Sequence, residues 1–264
     1  MVPTQNSATL ADVIMNIRLS PLRQIAVAAL ISLALPAAAQ THLYVAQDGS
    51  QKFKTVQSAI MSVPSGSRDN PVIIHIAPGT YKELIYVQRE KSFFRLIGED
   101  PNPTNTVLSF NLYAGITNAE GKPIGTFKTP STTIDADDFT AENITFENSA
   151  GPVGQALAIR VDGDKATFRN CRFLGWQDTI LLNRGRQYFE NCFICGHVDF
   201  IFGAATAWFE NCHIHCLRDG YITAASTPVD VPYGFVFPIA KSLANPACNR
   251  FWVGRGAFTR ARRF

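Results

Sequence analysis

Short apolar runs that alternate with polar residues, interrupted every few positions by Asn, Gly or Asp, cover most of the chain from residue 41 to residue 237. Runs of this length with a period of two predict β-strands. Leu43-Tyr-Val-Ala opens as a strand and Asp48-Gly-Ser reads as a turn. Phe53, Val56, Ile60 and Val63 recur at helical spacing and Pro64 ends the run. A short amphipathic helix is predicted there, capping the open end of the strand array. Val72 to Ala77, Leu84 to Val87 and Phe93 to Gly98 are further strands. Residues 99–130, rich in Asn, Gly, Pro and Thr, predict a long loop with short strands, suited to walling a groove.

Beyond this loop the pattern repeats. Ala166-Thr-Phe-Arg-Asn-Cys-Arg-Phe-Leu-Gly-Trp-Gln-Asp178 is followed by Gln187-Tyr-Phe-Glu-Asn-Cys-Phe-Ile-Cys-Gly-His-Val-Asp199. A third copy runs from Ala207 to Asp219, and Glu142-Asn143-Ile144 shares the phase, so the repeat begins by residue 141. Phe168, Phe189 and Phe209 align, as do Asn170, Asn191 and Asn211, and Cys171, Cys192 and Cys212. A repeat of 20–21 residues built from short strands predicts a solenoid. The class expected is all-β: a single-stranded parallel β-helix with equivalent residues stacked about 4.8 Å apart. Stacked Asn side chains at its corners would bond one another and the backbone.

Stacking would place Asp178 and Asp199 face to face. Aspartate also suits turn geometry, and for a lone Asp that is the simpler reading. Here Asp178 leads into Thr-Ile-Leu-Leu and Asp199 into Phe-Ile-Phe-Gly, apolar strands in both cases, which favours an acid/base pair. Asp219 leads into Gly-Tyr-Ile-Thr and is the structural member of the set. Cys192-x-x-Cys195 and Cys212-x3-Cys216 have zinc-like spacing, but residues three apart on a strand point to opposite faces. A buried ladder of Cys171, Cys192 and Cys212 is the favoured reading, with one disulfide as the alternative.

The 264 residues, 46% apolar with 19 Phe, suit one domain with a large core. A net charge of +3 leaves no nucleic-acid footprint. Arg18 and Arg23, the apolar run Ile25 to Leu35 and Pro36-Ala-Ala-Ala-Gln40 read as an export signal, too short for a membrane span. Residues 1–39 are therefore expected to be removed, with Met15 as the true start, and 40–264 to form the β-helix domain. A secreted protein is expected, extracellular or periplasmic. After residue 236 the repeat stops, the last fifteen residues carry five Arg and no acid, and this end reads as truncated or altered.

Four ordered motifs resemble the pectin methylesterases, secreted carbohydrate esterases with a right-handed parallel β-helix. They are Gly79-Thr-Tyr-Lys-Glu83, Gly154-Gln-Ala-Leu-Ala-Ile-Arg160, Gly175-Trp-Gln-Asp-Thr-Ile180 and Gly196-His-Val-Asp-Phe-Ile-Phe-Gly203. The similarity covers about residues 41–237. The family's Leu-Gly-Arg-Pro-Trp motif has its nearest match at Val253-Gly-Arg-Gly-Ala257, which keeps Arg255 but has Gly256 and Ala257 for Pro and Trp. The resemblance implies Asp199 as nucleophile and Asp178 as general acid and then base. It implies Gln177 and Gln155 as oxyanion donors and Arg255 as the cation that holds Asp199. Thr133 would contact substrate, with Trp176, Phe202 and Tyr221 as candidate sugar contacts and Phe200 in the core. Neither metal nor organic cofactor is implied. The partner would be pectin, acted on by a monomer. A pectate lyase or galacturonidase would share the fold, and a catalytically weak pectin-binding fragment is the other alternative.

Overall fold

From residue 72 to residue 244 the chain passes through three faces in a fixed order. The computed structural model describes residues 40–238 together with the strands at 241–244 and 258–259. The first sheet runs β1 (Thr41–Val45), β2 (Val72–Ile76), β5 (Phe94–Gly98), β8 (Thr140–Glu142), β11 (Ala166–Arg169), β14 (Arg186–Glu190), β17 (Thr206–Glu210), β20 (Phe235–Phe237) and β22 (Phe258–Thr259). The second contains β3 (Gly79–Lys82), β6 (Thr106–Phe110), β9 (Thr145–Asn148), β12 (Arg172–Leu174), β15 (Phe193–Gly196), β18 (His213–Cys216) and β21 (Lys241–Ala244). The third contains β4 (Ile85–Val87), β7 (Thr132–Ile134), β10 (Ile159–Val161), β13 (Ile180–Leu182), β16 (Ile201–Gly203) and β19 (Thr223–Ala225). All pairings between these strands are parallel, so the chain is the parallel β-helix that the repeat predicts.

The interior is a set of ladders. Phe168 pairs with Phe189 and Phe189 with Phe209, with stacked rings 4.9 and 4.7 Å apart. Phe237 extends the stack at 4.4 Å from Phe209. Burying one such ring stabilises the fold by about 1.5–3 kcal/mol, before the preference for offset stacking is counted. Cys171, Cys192 and Cys212 form the expected buried ladder of free thiols, each bonded to backbone carbonyls. Burial pushes the Cys171 thiol up to about 12, which makes it a small apolar side chain at any ordinary pH. The disulfide alternative also holds at one place, because Cys216 is disulfide-bonded.

Asparagine turns the corner from the first sheet to the second. Asn143, Asn170, Asn191 and Asn211 have φ of 58°, 48°, 54° and 49°. That left-handed conformation costs most residues about 1–2 kcal/mol, and Asn tolerates it best after Gly. The side chains pair as expected: Asn170 donates to Asn143 at 2.8 Å and Asn211 to Asn191 at 2.5 Å.

The predicted helix is α1 (Val56–Met61), shorter than its apolar spacing implied. Phe53 lies outside it, bridged to Val45, and Val63 packs on the core beyond its end. Thr55 caps it, and the carboxylate of Glu83 accepts the N–H groups of Val56 at 2.8 Å and Gln57 at 3.0 Å. The 79–83 motif is therefore architectural, since its Tyr81 is also buried with the hydroxyl on the Ala77 carbonyl.

The strand pairing adds to one expectation and corrects another. The side-chain repeat stops after residue 236, but backbone pairing continues, β21 against β18 and β22 against β20. Asp219 is not the third member of the Asp178/Asp199 row. Gly196 pairs with Cys216, 20 residues on, whereas Ile201 pairs with Thr223, 22 residues on. Two extra residues in that corner carry Asp219 out of register and leave it exposed. The expected leader, residues 1–39 with Met15 as its start, lies outside the described residues, and so does Arg255.

Candidate active site

The site grows from the corners between the second and third sheets. Gln155 is bridged to Gln177 and Gln177 to Val198, while Ile159, Ile180 and Ile201 pair further along. Asp178 and Asp199 follow Gln177 and Val198, so they occupy equivalent positions on consecutive coils, about one strand spacing (~4.8 Å) apart. Both are left-handed, with φ of 64° and 50°. The left-handed turn that suits aspartate thus also sets the two residues one above the other.

Small residues make the corners possible. A Cβ on Gly196 would sit 2.3 Å from the Cβ of Phe200 and 2.7 Å from the Trp176 carbonyl. Gly203, at φ 120°, would place a Cβ 2.0 Å from the Leu182 carbonyl. Buried Thr179 ties the first corner to the next coil by donating to the Cys195 carbonyl at 3.0 Å. The Asp178 N–H donates to the Val198 carbonyl at 3.1 Å and the Asp199 N–H to the Tyr221 carbonyl at 2.7 Å.

The electrostatics separate the two acids. Asp178 is 8% exposed, and burial together with the neighbouring Asp199 pushes its carboxyl up to about 7. Asp199 is half-buried and is raised by burial alone. Among the described residues no cation or hydrogen-bond donor meets the Asp178 carboxyl. Two interacting acids titrate as a pair, with one proton shared over an intermediate range. The arrangement can therefore supply a carboxylate and a carboxylic acid side by side.

Gln155 and Gln177 are half-buried in the adjacent row, and among the described residues neither side-chain amide has a hydrogen-bond partner. The long loop runs beside them, with the Ala114 N–H on the Gln155 carbonyl at 2.9 Å. Phe200 is fully buried, in accordance with its core reading. Phe202 is half-buried in the row Thr133–Arg160–Leu181–Phe202 across the third sheet. Thr133 lies two coils from Leu181 in that row, in a cleft with Arg160 and Asp162. Trp176 stands next to Gln177, edge-on to His197 at 5.8 Å, with the Arg218 guanidinium 4.8 Å above its ring. Tyr221 is exposed beside Asp199.

Sequence reasoning missed the charged cleft and the Arg218 stack. Arg160 ends the 154–160 motif, and its place on an outward-facing strand position could have marked it. Arg218 belongs to the last repeat copy and carries no spacing signal.

The pectinesterase family model matches residues 42–227. Pectinesterase 31 of Arabidopsis thaliana is 45% identical over 217 residues, covering 80% of this chain and 68% of its own length. The pectin methylesterase from carrot superposes with a TM-score of 0.71 at 31% identity, covering 79% of this chain and 65% of that one. A pectin methylesterase in complex with hexasaccharide VII superposes with a TM-score of 0.69 at 32% identity, covering 79% and 67%. The chain spans about two thirds of the length of each of these three proteins.

Proposed function

The chain belongs to the pectinesterase family of carboxylic ester hydrolases, and we propose that it hydrolyses the methyl esters of polygalacturonate, the backbone of pectin, to pectate and methanol. The observation that carries this reading is the Asp178/Asp199 pair, stacked on consecutive coils with Asp178 held protonated up to about pH 7. Ionised Asp199 attacks the ester carbonyl carbon. The amides of Gln155 and Gln177, which have no internal partner among the described residues, donate to the developing oxyanion. Collapse breaks the bond to the methoxy oxygen, which leaves as methanol with the proton of Asp178, and an acyl-enzyme anhydride remains on Asp199. Asp178, now a carboxylate, takes a proton from water as its oxygen attacks the anhydride, which frees the galacturonate carboxyl and Asp199.

Arg255 is proposed as the cation that orients Asp199, on the motif match alone. Thr133, Trp176, Phe202 and Tyr221 are proposed as sugar contacts, supported by their places along the third sheet or beside the acids. The hexasaccharide held by a structural neighbour supports an extended groove for the polymer. Export through a leader in residues 1–39 and action as a monomer are part of the same proposal. Among the described residues no helix is long and apolar enough to cross a membrane.

The test is methanol release from methylated pectin by the full chain and by Asp199→Asn, with product ends measured in parallel. Methanol from the wild type only supports the reading. Methanol release undiminished in Asp199→Asn would overturn the nucleophile assignment. Unsaturated or reducing ends would indicate a lyase or a galacturonidase. Binding without methanol would indicate a pectin-binding protein.

A further inference from the structure

The first sheet brings two histidines together at its N-terminal edge. β1 and β2 pair in parallel, with His42 across from Ile73 and Tyr44 across from His75. The side chains of His42 and His75 meet diagonally, and Nδ1 of the first stands 2.9 Å from Nε2 of the second. The His42 ring stacks on His75 at 5.2 Å and the Tyr44 ring at 4.7 Å, so the plane of the His75 imidazole is fixed by both. Among the described residues each imidazole bonds only the other. Burial, with His42 beside it, holds the His75 imidazole below its ordinary value against the pull of Glu99, so His75 is neutral at pH 7.

The separation of the two nitrogens has a chemical meaning. Two imidazole nitrogens bound to one ion at about 2.0–2.1 Å, at a right angle to each other, stand about 2.9 Å apart, whereas a tetrahedral ion spreads them to about 3.3 Å. The observed distance is that of neighbouring ligands in a square-planar or tetragonal complex, the geometry that copper(II) and nickel(II) prefer.

We propose that His42 and His75 form a binding site for a divalent transition-metal ion of tetragonal preference, copper(II) or nickel(II), which ties β1 to β2. The ring that donates the shared proton takes it on its other nitrogen through solvent, which frees both facing lone pairs for the ion. His42 is exposed, so solvent and metal reach the pair. Among the described residues no group of three histidines, cysteines or acids is placed to hold a metal, so water fills the remaining positions. An ion that binds the paired strands and not the unfolded chain stabilises the fold by mass action. The site lies on the first sheet, away from the acids, and does not rest on the esterase reading.

Calorimetric titration of the full chain, carrying no histidine tag, with copper(II) chloride and with nickel(II) chloride tests this. The wild type is expected to take up one ion per chain and to melt at a higher temperature with the metal than without it. The electron paramagnetic resonance spectrum of the copper(II) complex should be tetragonal with two nitrogen ligands. His42→Gln and His75→Gln should each lose the binding and the melting shift. His215→Gln should keep both, although it alters the other pair of histidines that share a strand face, His213 and His215 on β18. No uptake by the wild type would overturn the proposal. So would undiminished uptake in His42→Gln, whose exposed side chain makes it the variant to judge by if His75→Gln does not fold, and so would loss of uptake in folded His215→Gln.

Discussion

Asp178 and Asp199 stand on consecutive coils with the same left-handed backbone, and the first donates its N–H to the carbonyl of the residue that precedes the second. The spacing of their backbones is fixed by main-chain hydrogen bonding. The left-handed φ also dictates how they should be altered. Alanine would add a backbone penalty of about 1–2 kcal/mol to the chemical change, whereas asparagine keeps both shape and conformation.

Asp178→Asn should lower kcat for methanol release by about 10²–10⁴, the usual worth of a positioned acid. In the wild type, kcat/KM should fall as pH rises through about 7, where Asp178 loses its proton. Asp178→Asn should lack this alkaline limb. A pH profile of both proteins checks this, and an unchanged alkaline limb in the variant would assign the limb to another group.

The same group sets a pH dependence of stability. The Asp178 carboxyl is raised from 3.8 to about 7, so between those values the folded state keeps a proton that the unfolded state has lost. Stability therefore falls as pH rises through that window. At pH 8 Asp178→Asn should be more stable than the wild type, by at most about 4 kcal/mol and less in so far as water reaches the carboxyl. The two melting temperatures should converge toward pH 4. Thermal melts across this range supply the measurement.

Gln177→Leu and Gln155→Leu should each lower kcat by about 10²–10³ with little change in KM, as expected for donors that act on the oxyanion and not on the bound ester. A rise in KM alone would make them substrate-binding residues. Steady-state kinetics on methylated pectin distinguishes the two outcomes.

Phe189→Ala should destabilise the fold by about 3–5 kcal/mol, because the ring is fully buried between Phe168 and Phe209 and the coils on either side are held apart by their own strands. Denaturant unfolding followed by circular dichroism gives the value. A loss under about 1 kcal/mol would mean that the stack collapses over the gap.

The fold was legible because a solenoid writes its geometry as a period. The Phe168/Phe189/Phe209, Asn and Cys columns align by eye, and each column is a ladder in the structure. The acids were legible for the same reason. The extent of α1 was not, because Phe53 meets the core from a bridge with Val45, and a core-facing residue looks the same on a helix or beside one. The cleft at Arg160 was hidden because its members come from several coils, each contributing one or two residues with no shared spacing. Asp219 misled because the alignment of its own copy held as far as Cys216 and then slipped by two residues.

That slip limits how much charge the row of acids carries. A strictly periodic solenoid would copy an acidic position into every coil and build a column of mutually repelling carboxylates. The lengthened corner after Cys216 closes the column on one side and Ala156, which follows the bridged Gln155, closes it on the other, leaving two members, the smallest number that can share a proton. Corner length, which leaves the core ladders untouched, thus helps to limit how many times the coil's chemistry is repeated.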